Sequence, residues 1–273
     1  RYNVEFSTKF LKMYGGTNQF KIQYSNITRL FNLPRPDGRH NDVVVSVSPP
    51  LRSGHTPYSN IVFHFPHDSE TEAKINMSEE ELLEKYDGKL EKEFKEPTHR
   101  LVSRMFKVLT NQSIVVPGRF ESANNEKCIR CSLKANDGLL YPLEKGFVFL
   151  HKPATYIAYR DIEKLGFDRA ETAAVSTRNF DIEVFLKSGG TQKFQNIHKP
   201  EYSKIFNFLS AKNIRIEGAR VSGDFSSRSR VSEAELQEVL GDDDDSDSDD
   251  EDFGEGDMQE DDSDDYGSEL ERS

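Results

Sequence analysis

The sequence predicts a mainly β (α+β) body followed by an unfolded acidic end, and three observations carry that expectation. Apolar residues alternate with a period of two, between turn residues, over 1–77 and again over 128–196. Two amphipathic stripes, Val102-Met105-Phe106-Leu109 and Tyr202-Ile205-Phe206-Leu209, repeat the spacing i, i+3, i+4, i+7 at an offset of 100 residues. From Asp242 to Ser273 there are 18 Asp and Glu against a single Arg.

In the first half, Tyr2, Val4 and Phe6 share one face of a strand, and Phe20, Ile22 and Tyr24 share another after the Gly15-Gly16 turn. Strands are predicted over Val43 to Val47 and Tyr58 to Phe65, with a weaker one over Lys74 to Met77. Between them, Pro49 to Tyr58 reads as a long loop, and Leu51, Arg52, His55 and Tyr58 are its candidate interaction residues, because long loops on a rigid scaffold often carry function. Ser78 and Glu81 have capping-box spacing and open a highly charged helical segment through Glu96, expected as an exposed insertion. After Pro97 the first amphipathic stripe forms a helix that packs one face on a sheet.

Pro117-Gly118 marks a turn into the second strand-rich stretch. Strands are predicted at Cys128 to Leu133, Phe147 to Leu150, Thr155 to Tyr159, Phe180 to Leu186 and Thr191 to Asn196, with a hairpin turn at Asn136-Asp137-Gly138. A helix after Pro200 closes it. Tyr24, Ile27 and Leu30 are echoed by Tyr159, Ile162 and Leu165, which adds a second sign of internal duplication. Several antiparallel strands followed by one helix is the order of the pleckstrin-homology (PH) superfold, a partly open barrel plugged by its C-terminal helix. The expected organisation is a first PH-like module over 1–116 with the charged insertion at 78–96, a second over 117–217, a flexible linker over 218–241 and a disordered acidic tail over 242–273. The chain opens on Arg1 inside an apparent strand, as a piece of a longer protein would.

The charge is divided unevenly. With the tail's 18 acids and one base set aside, the first 241 residues hold 30 acids and 35 bases. Like charges with little apolar surface cannot offset the entropy of ordering, so the tail stays solvated and its natural partner is a strongly basic protein. It repels nucleic acid and anionic membrane. Phe253 and Tyr266 are lone aromatics flanked by Asp249, Asp250, Glu251, Asp252, Asp264 and Asp265, an arrangement suited to anchoring on a basic protein surface. Ser246, Ser248 and Ser268 each precede an acid by three residues, the pattern acidophilic kinases prefer.

Catalytic and metal chemistry are not expected. Cys128 and Cys131 are the only cysteines, and on a strand they point to opposite faces. The seven His look scattered, with His64 and His67 at a strand end near Asp68. Phosphate loops, nucleophile elbows and HExxH are missing. No cofactor is implied, and no basic cluster marks a lipid-headgroup site on the first hairpin of either half.

The body resembles the smaller subunit of the FACT histone chaperone, the structure-specific recognition protein family. The matching segments are Pro49-Pro50-Leu51-Arg52 with Gly54, Thr56 and Tyr58; Val115-Val116-Pro117-Gly118; Cys131-Ser132 with Lys134-Ala135-Asn136, Gly138 and Leu140-Tyr141-Pro142-Leu143; and Phe180-Asp181 with Glu183-Val184. The resemblance implies a nuclear, chromatin-associated protein working with a larger FACT subunit on nucleosomes. It implies that the PH-like tandem engages histones 3/4 and that the acidic tail engages the histone 2A/2B dimer where DNA otherwise lies, during transcription, replication and repair. The family's dimerisation module and high-mobility-group box are not in this sequence, so the larger subunit is expected to be joined through a region outside it and nucleosomal DNA to be contacted only indirectly. The alternative is a PH-type lipid or peptide adaptor whose acidic tail is incidental.

Overall fold

The computed structural model describes residues 1–16, 18–168 and 178–217. In the first half, β1 (Asn3–Phe6), β2 (Phe10–Tyr14) and β3 (Gln19–Gln23) form an antiparallel three-stranded sheet. A short 3₁₀ turn at Tyr24–Asn26 then leads into β4 (Ile27–Pro34), β5 (His40–Ser53) and β6 (Thr56–Pro66). β7 (Glu70–Lys74), α1 (Glu79–Tyr86) and β8 (Glu93–Pro97) precede α2 (Thr98–Thr110). β9 (Ile114–Val115) completes a second sheet in the order β6-β5-β4-β9.

Leu11 and Met13 from the first sheet meet Leu30, Val43 and Val45 from the second, and Phe106 of α2 closes the gap between them, fully buried. Phe6 and Phe63 approach the Phe106 ring at 5.2 and 5.8 Å between centroids. The amphipathic stripe of α2 is thus accounted for by core packing.

The charged stretch 78–96 departs from the expected exposed helix. Ser78 and Glu81 do form the capping box, but α1 ends at Tyr86, and Glu93–Pro97 returns as a strand paired antiparallel with β7. Leu82, Leu90 and Phe94 are buried with Leu101 in a core of their own on α2. Three apolar residues suffice once α2 supplies the opposing surface, which a count of charges does not reveal.

The second half repeats the plan. β10 (Ile129–Leu133), β11 (Asn136–Pro142), β12 (Gly146–Leu150) and β13 (Thr155–Ala158) are followed by β14 (Ile162–Asp168), β15 (Asn179–Leu186), β16 (Thr191–His198), α3 (Glu201–Ser210) and β17 (Ile216–Glu217). All eight strands join one curled sheet through the pairing of β10 with β16. Phe147, Phe149, Phe194, Ile205 and Leu209 fill its interior.

The repeat of Tyr24, Ile27 and Leu30 in Tyr159, Ile162 and Leu165 has a structural cause. Each copy is a 3₁₀ turn entering a strand whose register shifts one residue in, at Ile27/Arg29 and at Ile162/Lys164. Leu30 then pairs in parallel with Ile114, and Leu165 with Ile216.

The Asn136-Asp137-Gly138 hairpin signal misplaces the turn. Lys134 and Ala135 form it, at φ of 49° and 64°, and Asn136 to Gly138 pair with Leu133 to Cys131. Gly138 is needed for a different reason: a Cβ there would lie 2.1 Å from the Leu150 carbonyl oxygen and 2.4 Å from the Phe149 ring.

Candidate interaction surface and the junction between the halves

Strand alternation divides the apolar runs between two cores. In β5, Val43, Val45 and Val47 enter the first-half core, while Val44 faces the second half. In β12, Phe147 and Phe149 enter the second-half core, while Val148 and Leu150 face the first half. Phe31, Leu33, Tyr141 and Leu143 complete this shared junction. The Tyr141 hydroxyl donates to the Pro34 carbonyl at 3.1 Å, and Asn60 Nδ2 donates to the Ala154 carbonyl at 3.0 Å. The Arg29 guanidinium lies 4.7 Å above the Tyr156 ring, which in turn packs on Phe31. The described body is consequently one compact unit.

A polar cluster borders the junction. The Asp42 carboxylate is fully buried. His64 Nδ1 lies 2.7 Å from its Oδ1, and His151 Nε2 lies 3.1 Å from its Oδ2. Burial opposes ionisation of Asp42, yet its hydrogen bonds to His151 and His64 outweigh that cost and hold its carboxyl below the ordinary carboxylate range. Arg35 Nη1 also reaches His151 Nε2 at 3.1 Å, and His40 stacks on His64 at 4.5 Å. The expectation that the histidines are scattered is therefore corrected: the β5–β6 hairpin and the distant segment after β12 bring His64 and His151 onto the one Asp42 carboxylate, while His40, bonded through Nδ1 to Asp37 Oδ2, stacks beside them. His67 does not neighbour a ligand set at Asp68; its Nδ1 pairs with Asn41 Oδ1, and its ring stacks on buried His99. No local spacing announces the convergence, because Asp42 and His151 are 109 residues apart.

The cysteines behave as strand alternation requires. Cys128 faces the junction and Cys131 the second-half core. Burial pushes the Cys128 thiol up to about 12 and raises that of Cys131 as well.

Leu51, Arg52, His55 and Tyr58 do not lie on a long loop. Strand pairing runs to the tip, with Leu51 opposite Tyr58, Arg52 opposite Pro57 and Ser53 opposite Thr56. Only Gly54, at φ 59°, and His55 make the turn. The register shifts between Ser46 and Leu51, where Pro49 and Pro50 have no N–H to donate to the ladder. The result is an arm that presents Arg52, His55 and Tyr58 to solvent, Tyr58 at 46% exposure, while Leu51 packs back on the first-half core. Cation, imidazole and phenol on a stiff ribbon suit contact with a macromolecular surface. Phe253, Tyr266, the tail carboxylates and Ser246, Ser248 and Ser268 lie outside the described residues.

Together these features define a class: a mainly β protein of two PH-like units fused through a shared apolar junction. A family model of the SSRP1 PH domain matches residues 1–114, and a model of the Rttp106-like histone chaperone middle domain matches residues 127–218. The maize protein named FACT complex subunit SSRP1 is 41% identical over 247 residues, covering 90% of this chain and 38% of its own length. FACT complex subunit POB3 of Eremothecium gossypii is 37% identical over 244 residues, covering 89% of this chain and 43% of its own length. FACT complex subunit SSRP1 of Xenopus laevis is 40% identical over 217 residues, covering 80% and 31% respectively. The chain belongs to this SSRP1/POB3 family of FACT subunits, and it spans less than half the length of these relatives. The domains matched are a PH domain and a histone chaperone domain, not those of an enzyme.

Proposed function

We propose that this chain is the histone-handling part of a nuclear, chromatin-associated FACT small subunit. The acidic tail takes the histone 2A/2B dimer, occupying surface that DNA otherwise covers, and the paired PH-like units take histones 3/4. The observation that carries this reading is the joining of a tandem of these two domains to a segment with 18 acids and one base. Carboxylates attract a basic partner from a distance and set the encounter rate, whereas buried aromatics hold register. Phe253 and Tyr266 act as those anchors, and phosphorylation of Ser246, Ser248 or Ser268 adds charge of the same sign. On the body, the arm bearing Arg52, His55 and Tyr58 contributes to the histone 3/4 contact.

Calorimetric titration of the 2A/2B dimer and, separately, of the 3/4 tetramer into the full chain and into a version ending at residue 241 tests the division of labour. Loss of dimer binding with retained tetramer binding is expected. Failure of both pairs to bind either version refutes the proposal. Binding to anionic vesicles that survives removal of 242–273 identifies a lipid adaptor instead.

A further inference from the structure

We propose that Asp42, His64 and His151 form a binding site for a divalent transition-metal ion of the zinc and cobalt class, one that bridges the two halves. Asp42 and His64 come from β5 and β6, and His151 from the segment that follows β12. Their ligand atoms all lie within 4.8 Å of one another. A tetrahedral ion with bonds of about 2.0 Å holds its ligand atoms about 3.3 Å apart. The 2.7 and 3.1 Å separations run from the two imidazoles to different oxygens of the one carboxylate, and with all ligand atoms within 4.8 Å of one another no pair has to close by more than about 1.5 Å to reach that spacing. Two imidazoles and one carboxylate suit zinc, and three protein ligands leave a fourth position for water.

The hydrogen bonding of His151 points the same way. Its Nε2 lies 3.1 Å from both Asp42 Oδ2 and Arg35 Nη1. One ring nitrogen cannot donate to a carboxylate and accept from a guanidinium at once. If Nε2 carries a proton it opposes the Arg35 donor, and without one it sets its lone pair against the carboxylate. A cation placed among Nε2, His64 Nδ1 and the carboxylate takes up all three lone pairs. Arg35 has somewhere to go, because its buried Nε has no hydrogen-bond partner and stands 3.9 Å from Asp37 Oδ2. Solvent reaches the site, since the side chains of His64 and His151 are 43% and 37% exposed, so an ion can enter without unfolding.

The test is titration of the full chain with Co²⁺, followed by visible absorption, in parallel with the His64→Ala, His151→Ala, Asp42→Asn and Arg35→Ala variants; circular dichroism confirms that each variant folds. Oxygen-only sites on the acidic segment bind Co²⁺ as a weakly absorbing octahedral ion and are common to all five proteins. The expected result is a tetrahedral spectrum that saturates at one ion per chain and is displaced by one equivalent of Zn²⁺. Affinity should fall at least about tenfold when either histidine is removed. It should rise in Arg35→Ala, which removes a competing cation. Absence of the tetrahedral spectrum, or a spectrum that persists in folded His151→Ala, overturns the proposal and leaves the cluster as a hydrogen-bonded clamp between the halves.

Discussion

Gly138 shows how a single residue is held by its neighbours and not by its own conformation. Its missing Cβ makes room for the Leu150 carbonyl and the Phe149 ring. Gly138→Ala should therefore destabilise the protein by about 2–3 kcal/mol, read from the urea midpoint, as overpacking of a tight core does. The cysteines allow a second test at this scale. With both thiols buried and raised by desolvation, neither Cys128 nor Cys131 should react with a thiol-modifying reagent in the native protein, and both should react once it is unfolded. Fast native labelling of either would mean that the junction opens.

Among the elements, α1 depends on its first turn. Ser78 accepts from the Glu81 amide at 3.2 Å, and Glu81 accepts from the Ser78 amide at 3.0 Å. Ser78→Ala should cost about 1 kcal/mol of stability, measured by denaturant titration. The hydrogen bond from the Ser78 amide, followed by that from its hydroxyl, lowers the Glu81 carboxyl below its ordinary value of 4.5. A depressed acid stabilises the folded state above that ordinary value and stops doing so as pH falls through the lowered one. Wild type should accordingly gain over Glu81→Gln near neutral pH and lose that gain in acid. Leu82→Ala empties the small core beneath α1 and should cost about 2–5 kcal/mol, far more than the cap.

For the molecule as a whole, the shared junction decides cooperativity. Phe31, Leu33, Tyr141 and Leu150 would all be exposed if the halves parted, and each fully buried large apolar side chain contributes about 1.5–3 kcal/mol. Residues 1–217 should unfold in one transition by calorimetry, whereas 1–116 and 117–217 made separately should be less stable or associate. Two transitions in the joined protein would show that the junction adds little. At the tail, Phe253→Ala should weaken histone 2A/2B binding by about 2 kcal/mol, against at most about 1 kcal/mol for neutralising any one Asp. Equal losses would remove the anchoring role.

The sequence by itself determined the kind of most elements. Period-two alternation placed the strands, the two i, i+3, i+4, i+7 stripes placed α2 and α3, and the repeated Tyr, Ile and Leu positions revealed the duplication, because each of these signals is local. It could not say which face of a strand meets which core. The run Val43-Val44-Val45 is apolar throughout because β5 is buried on both sides, and only the docking of the second half supplies the other side. The same docking moved His151 beside Asp42 and His64, while within the first half strand pairing turned the supposed loop around Leu51 to Tyr58 into an arm and α2 made a core of Leu82, Leu90 and Phe94. These outcomes rest on how elements pair and pack against one another, and the period of a single segment does not encode such contacts.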